Sequence, residues 1–577
     1  MSCSSFESLC STILYEIFDY LSTYNIFHAF INLNHRLKRS IHSYRLHIDF
    51  RKMSRLKFDL ICSCLRPEQV ISLIFSDEDM AGQVAVFQRH FPYFKYQFTH
   101  LRSIKFLKTE NILCHLPDSV TCLTFHECFY VDSKLIINVI VGQAKSLTHL
   151  EIDSWDISQL TKTKFPSLTR LAIDNAYIND TSDLLQRSKA KFVDVHLWIQ
   201  NLHSPITHLK LLIGNRTLTN YNAIFNFDYL SHSLTNFTLI CLANETNFSS
   251  ELIQHYLIRL SNLKSLTTII RLGFIDGKQW EEFLRKSQII KFNFHFILSE
   301  NVIFNHDGSK LLDSFRSPFW LEEKRWYVAY SKRCTNTYTH ISITSVSKFL
   351  SKITDYTLED YPPLSTVPPD LTQRIFYSRC IDMLILHLDE SKIQTNYLFT
   401  RVNLLHLNGS KLPSIHDLVS IVDLNQIKEL DISRVKNISI GGIHLIIEHM
   451  PRLNHLIFKH FIPLFQPPAH IYTLSIETWQ LKDDFDLFCR MFSNVKSLKI
   501  DITSLEMMIE LVKRLKYLED IGFWYPFEKY AHFISMKWLR RNMRRLQQTN
   551  FTCRTDEYYP LLSIGNQRIK HHQHSIF

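Results

Sequence analysis

Apolar residues along this chain follow two rhythms. Over the first fifty residues the spacing is helical. Ile13, Leu14, Ile17, Phe18 and Leu21 form an i, i+1, i+4, i+5, i+8 stripe, the signature of an amphipathic helix. Ser11 is placed to cap it. After a break at Ser22-Thr23-Tyr24-Asn25, a second helix carries Ile26, Ala29, Phe30 and Leu33. Asn34 caps a third, with Leu37 and Ile41 inward and Arg36, Lys38 and Arg39 outward. Three short helices bury too little surface to stand alone. The module is expected to lean on the next domain or on a partner.

Further along, the rhythm becomes a six-residue unit, apolar-x-x-apolar-x-apolar. It runs from Leu101-x-x-Ile104-x-Phe106 through segments beginning at Val120, Leu147, Leu168, Ile206, Leu234 and Ile289. It resumes at Ile381, Val402, Ile427, Leu453, Ile471, Val495 and Leu518. In the second series the first positions step by 21, 25, 26, 18, 24 and 23 residues. A repeat of about 20–29 residues is one strand plus one helix or turn. Helical segments fit between the strands, such as Gly442 to Met450, which Pro451 stops. Pro117 and Pro166 hold the same place before their strands. The expected class is α/β, with one strand of a parallel sheet per repeat.

Between Ile289 and Ile381 the period lapses. Trp326 to Tyr330 and Thr339 to Thr344 read as two strands, joined as a hairpin by the polar link Ser331 to Tyr338. The aromatic, charged stretch Phe315 to Tyr330 is either an inserted recognition element or a pair of divergent repeats whose aromatics are core; the second reading is the more economical. Pro362-Pro363 and Pro368-Pro369 mark an extended loop.

Composition narrows the function. Only 11 of 577 residues are glycine, against an average of about 7 %. Phosphate and dinucleotide sites need glycine where backbone approaches a ligand, and neither G-x-G-x-x-G nor G-x-x-x-x-G-K-[ST] occurs. No G-x-S-x-G elbow is present either. His444-x-x-x-Glu448-His449 has one residue too many for an H-x-x-E-H metal motif, and its two histidines lie about 140° apart on a helix. The twelve cysteines include no C-x-x-C. No signal peptide and no membrane-length apolar run is visible, so a reducing compartment, cytoplasmic or nuclear, is expected. No catalytic residue, metal or cofactor is expected. The net charge of +10 is mild for this length and does not point to nucleic acid. The most basic segment, Lys537 to Leu546, reads as a helix that packs Trp538, Leu539, Met543 and Leu546 on the last repeat with its arginines solvated; contact with an acidic membrane surface or nucleic acid is the other reading. Histidines at 571, 572 and 574 read as a polar terminus.

Phe6-Glu7-Ser8-Leu9-Cys10-Ser11-Thr12-Ile13-Leu14-Tyr15-Glu16-Ile17-Phe18-Asp19-Tyr20-Leu21 resembles the F-box, whose pattern is roughly L-P-x-E-I-L-x-x-I-F-x-Y-L. Leu9, Ile13, Leu14, Ile17, Phe18, Tyr20 and Leu21 fall in register, and Asn25-Ile26 takes the place of the following Asp-Leu. The family's Pro is Cys10 here, and its acidic residue is Thr12. The repeats are similar to the leucine-rich repeats that follow many F-boxes, and Val120 to Asp132 looks like the cysteine-containing type, with Cys128 at the buried turn position. Other repeats lack that Asn or Cys, carrying Trp155, Ala176, Ser410 and Val435 instead.

The resemblance implies an F-box over 1–48, a helical linker or cap over 49–98, repeats over 99–295 and 381–530, an insertion or divergent repeats over 296–380, and a basic cap and tail over 531–577. It implies an irregular horseshoe solenoid with the parallel sheet on the concave face and helices outside. It further implies a substrate receptor of an SCF-type ubiquitin ligase, binding a Skp-type adaptor, and through it a cullin, by way of Leu9, Cys10, Ile13, Leu14, Ile17, Phe18, Leu21, Ile26 and Phe30. The repeats then hold a target protein, for which Lys210, Lys428 and Lys499 are candidate basic contacts. A non-catalytic repeat scaffold without ligase recruitment is the alternative.

Overall fold

The computed structural model describes residues 9–128, 131–153, 160, 163–175, 205–213, 230–241, 250–272, 275–298, 308–334, 339–346, 364–372, 382–388, 398–460, 462, 465, 467–478, 485–502, 504–524, 536–543, 546, 549–554 and 561–567. The chain forms two units. One combines Met1–Val139 with Lys428–Phe577, and the other is Ile140–Ile427. Each is α/β, built mainly of parallel strands with helices between them. Among the described residues no helix is long and apolar enough to cross a membrane.

The first unit opens with α1 (Ser11–Asp19), α2 (Thr23–Phe30) and α3 (His35–Ser43). Asn34 caps α3 as expected, its Oδ1 accepting from the Leu37 amide at 2.8 Å, and the Ser22 hydroxyl caps α2 at Asn25. Ser11 does not cap α1: the helix starts on it, and Cys10 at the cap position makes no side-chain bond. Phe18 is the pivot of the module, with ring centroids 5.6 Å from Phe30 and 5.4 Å from Tyr44. Leu14, Ile26, Phe27, Leu37 and Ile41 close around it, all buried. The module leans on its own chain: α2 packs against β1 (Leu46–Asp49) and against α4 (Arg55–Cys64).

Segment 49–98 is not simply helical. It contains β2 (Val70–Ser76), which pairs in parallel with β1 and with β3 (Ser103–Leu107); β4 (Cys122–His126) follows. The sheet therefore begins at Leu46. Val70-x-x-Leu73-x-Phe75 has the repeat spacing. Phe75 and Phe50 face α4 and the helix Gln83–His90, where Phe50, Phe58, Phe75 and Phe87 form a buried ring cluster with centroids 4.6–5.9 Å from Phe50.

In the second unit, β5 (His149–Asp153), β6 (Arg170–Asn175), β7 (His208–Ile213), β8 (Asn236–Cys241), β9 (Ser265–Leu272) and β10 (Lys291–Leu298) pair in parallel and in chain order. The expected hairpin is present as β11 (Val328–Cys334) and β12 (Thr339–Ser345), antiparallel, with β12 antiparallel to β10. The aromatics of this block are core. Phe315, Phe319 and Trp320 are buried with Trp280, Phe292 and Phe294, and the Trp320 indole donates to the Gly277 carbonyl at 3.2 Å. Strands β13 (Met383–His387) and β14 (Leu404–Lys411) form a further parallel pair.

The chain then returns to the first unit with β15 (Glu429–Asn437), β16 (His455–His460), β17 (Thr473–Thr478), β18 (Ser497–Asp501) and β19 (Asp520–Trp524), again parallel in order. The C-terminal cap is not helical alone. Helix Met536–Asn542 leads to buried Leu539, Met543 and Leu546 while Lys537, Arg540 and Arg541 stay exposed. It is followed by a hairpin of β20 (Thr549–Arg554) and β21 (Leu561–Gln567), with β21 antiparallel to β19. Strand β21 packs against α4, so segments about five hundred residues apart in sequence meet within this unit. The histidines at 571, 572 and 574 lie outside the described residues.

One carbonyl per repeat sets the register. The residue two before the central leucine turns its C=O to the next repeat and accepts two successive amides. Thr148 accepts from Thr169 and Arg170, Thr169 from Thr207 and His208, Thr207 from Thr235 and Asn236, and Thr235 from Lys264 and Ser265, all at 2.9–3.1 Å. The same clamp recurs at Arg102, Lys428, Tyr472 and Lys496. Where that residue is threonine its hydroxyl adds a third donor, as in Thr235 Oγ1 to the Thr207 carbonyl at 3.0 Å. Side chains then alternate across each strand.

Gly277 sits where a Cβ would collide with the Ser314 carbonyl and the Phe315 ring. Gly277→Ala is expected to destabilise the fold by about 1–3 kcal/mol through overpacking, read as a lower midpoint in urea unfolding; an unchanged midpoint would show that this contact yields freely.

Candidate functional site

Two surfaces carry functional potential, one on α1 and one on the open face of the sheets. The apolar residues of α1 divide between two adjacent stripes. Leu14 and Phe18, with Ile26 of α2, are 1 % exposed and belong to the core. Ile13 and Ile17 lie on the other stripe with Tyr20, and Cys10 precedes them at the helix start. Ile13 is 43 % exposed, Tyr20 91 % and Cys10 also exposed; Leu9, Ile17, Leu21 and Phe30 are half-buried. The nine residues expected to bind an adaptor therefore do not form one surface. Leu14, Phe18 and Ile26 hold the module together, and a partner meets the other six at most.

Two further residues join the exposed set. Tyr20 was in register by spacing alone. Leu33, expected inside the second helix, lies past its end at Phe30 and is 61 % exposed. Arg36 steadies the start of α1 by donating to the Leu9 carbonyl at 2.5 Å. Tyr44 bonds Asp19 at the other end, which together with burial holds its phenol above the usual range. The result is a rigid helix with an apolar strip on the outside. Contiguous exposed apolar surface marks an interaction site more often than chance.

On the sheets, Cys128 occupies its expected buried turn, with Sγ 3.4 Å from the Phe106 carbonyl. The three candidate lysines differ. Lys210 lies on β7 and pairs with Glu151 at 3.4 Å. Lys499 on β18 acts on Asp79, opposing the burial that raises that carboxyl. Lys428 precedes β15 and is exposed, with its carbonyl in the register clamp. Along the second unit, basic residues that the repeat spacing did not single out line the start of the strands: Arg170, Lys264 and Lys291. His149 and His208 stand on either side of Arg170. Burial first, and the neighbouring guanidinium second, holds both imidazoles below the usual histidine range. His444 and His449 serve the fold: the first ring packs on Phe465, and the second bonds the Leu445 carbonyl. Among the described residues no group of three or more His, Cys, Asp or Glu is placed to hold a metal.

The C-terminal hairpin creates a separate electrostatic feature. Burial beneath it pushes the Asp520 carboxyl up to about 7; Ser563 opposes the shift, and Glu519 and Asp79 add to it. In the unfolded chain this group loses its proton near its ordinary value of 3.8, whereas the folded chain keeps it until about pH 7. Stability from this group therefore falls as pH rises between those values and is level above. Asp520→Asn removes the penalty. Its thermal midpoint is expected to exceed that of the parent by a margin that grows from pH 4 to pH 7 and then stays constant; a margin independent of pH would refute the assignment.

No protein-family model matches this chain, and no curated protein matches it either.

Proposed function

We propose that this chain is a substrate receptor of an SCF-type ubiquitin ligase, with an F-box that docks on a Skp-type adaptor and a leucine-rich-repeat horseshoe whose concave sheet face holds a target protein in the cytoplasm or nucleus. The observation that carries the reading is the division of α1: one stripe is consumed by the core, and Cys10, Ile13, Ile17 and Tyr20 remain as an apolar strip. A small helical module would have no need of the second strip for its own stability. The short repeats behind it offer a long face of alternating outward side chains, suited to protein recognition. Catalysis belongs to the partner enzymes, and this chain raises the effective concentration of target lysines beside them.

A specific feature supports a second reading. Cys10 stands exposed where the F-box pattern has the Pro that shapes the docking segment, and it leaves α1 without a side-chain cap. A repeat scaffold that binds partners without recruiting a ligase fits that departure.

Capture of a purified Skp-type adaptor by the full chain separates the two. Binding is expected, and Ile13→Asp is expected to weaken it by about 2 kcal/mol or more, as for an interface anchor, with the thermal midpoint unchanged because Ile13 is already solvent-facing. Phe18→Ala is expected instead to destabilise the module by about 3–5 kcal/mol. Failure of the intact chain to capture the adaptor, where an established F-box does so, would sink the ligase reading and leave the scaffold.

A further inference from the structure

In register across β5 to β10, the first outward residue of each strand is His149, Arg170, His208, Asn236, Ser265 and Lys291. The residue before each is Thr148, Thr169, Thr207, Thr235, Lys264 and Ile290. These two adjoining rows contain three permanent cations and no carboxylate. Arg170, Lys264 and Lys291 have no ion-pair partner among the described residues. One position further along the same face, Glu151 and Lys210 neutralise each other. In the corresponding rows of the first unit charges of both signs meet, Glu429 with His455 at 3.0 Å and Lys496 with Glu519 at 3.3 Å, while the exposed Arg102 and Lys428 have no ion pair among the described residues. What sets the β5–β10 rows apart is three such cations with no carboxylate among them.

At one end of this edge, Thr235, Asn236, Lys264, Ser265, Ile290 and Lys291 line an open cavity of about 410 Å³. The Thr235 hydroxyl is spent on the Thr207 carbonyl of the register clamp, and Asn236 donates to His208 and Thr235. The donors left for a ligand are the two ammonium groups and the Ser265 hydroxyl. Beside them Ile290 stands 72 % exposed. Two cations and a hydroxyl next to an apolar side chain fit an anionic side chain followed by an apolar one. Base-stacking platforms of the kind that hold single-stranded nucleic acid are missing from both rows, where the only rings are His149 and His208.

We propose that the leading edge of β5–β10 is a docking rail for an extended acidic peptide segment of a partner protein, with one anionic side chain seated between Lys264 and Lys291 and its apolar neighbour on Ile290. The shared chemistry is a carboxylate or a phosphoryl group. Five strand spacings of about 4.8 Å make the rail about 24 Å long, the reach of about seven extended residues. Arg170, near the far end, takes a second anionic residue. The proposal rests on the target-binding role given to the repeats and names the class of target segment.

The test uses the full chain and immobilised degenerate decapeptides with a fixed central Glu, phosphoserine, Ser or Lys. Retention is expected on the Glu or phosphoserine peptides over the Ser peptides, and which of the two is stronger identifies the anion. Retention is expected to collapse in about 0.5 M salt, where the Debye length falls to about 4 Å. Lys264→Glu combined with Lys291→Glu is expected to reduce it about tenfold, with the thermal midpoint unchanged. Lys411→Glu, an exposed charge away from the rail, serves as the control and is expected to bind as the parent does. Equal retention on Ser and acidic peptides, full binding by the double variant, or stronger retention of single-stranded RNA than of either acidic peptide would overturn the proposal. Adaptor capture is measured on the same preparations. A chain that captures the adaptor and ignores acidic peptides fails here alone, and one that binds the peptides without the adaptor fails only the ligase reading.

Discussion

The carbonyl that accepts two amides from the next repeat is the constraint on which the sheets depend. A backbone acceptor has two lone pairs, and here both go to successive N–H groups of the following strand. That fixes where the next strand starts, because a slip by one residue would break both bonds and turn every core side chain outward. The loop between is left unconstrained. Arg170 and His208 are direct partners although 38 residues separate them in the chain, whereas Leu456 and Leu474 pair over 18. Irregular repeat lengths are tolerated because register is set at the strand, not along the connection. It also explains the threonines before so many strands, whose hydroxyls reinforce the same acceptor.

With register fixed, each strand presents one face to a core and one to partners. The core face is saturated with Leu, Ile and Phe. The other face is where the two units differ. In the first unit carboxylates stand among the cations and pair with some of them, and the C-terminal hairpin buries a carboxyl at Asp520 that resists ionisation. In the second, cations stand uncompensated along the strand starts. The helical module follows the same logic on a smaller scale. Leu14 and Phe18 are committed inward, and a neighbouring stripe is left to meet something else.

Much of the fold was legible. Each of the fourteen segments singled out by the six-residue spacing leads into a strand, although the spacing alone is not decisive, since Ile136-x-x-Val139-x-Val141 carries it within a helix. Besides β1, which has Ser43 where the first apolar position would fall, three elements escaped that rule for physical reasons. Strand β9 carries Thr268 at the third inward position, a fully buried threonine in place of an apolar residue. Strand β2 has the spacing, but it stands among helices, where a short apolar run reads equally well as helix. In the hairpin β20–β21, β21 pairs antiparallel to β19, so nothing in its local pattern announces the repeat.

The candidate sites were legible in kind and not in detail. A helical stripe in the sequence shows which residues are apolar. It does not show that Leu14 and Phe18 face the chain while Ile13 faces solvent, because both sets are spaced for one helix; only the packing of α2, α3 and Tyr44 around Phe18 decides. Likewise the sequence contains Arg170, Lys264 and Lys291 scattered over more than a hundred residues of chain, among many other cations. Their alignment on one edge, with no carboxylate between them, exists only once the clamp carbonyls have set the strands side by side. The sequence by itself determined the strands, the order of the repeats and the apolar core, because these depend on local spacing and burial. The tertiary structure decided which apolar stripe stays exposed, that α4 meets β21 and which charges remain unpaired, because those depend on neighbours distant in sequence.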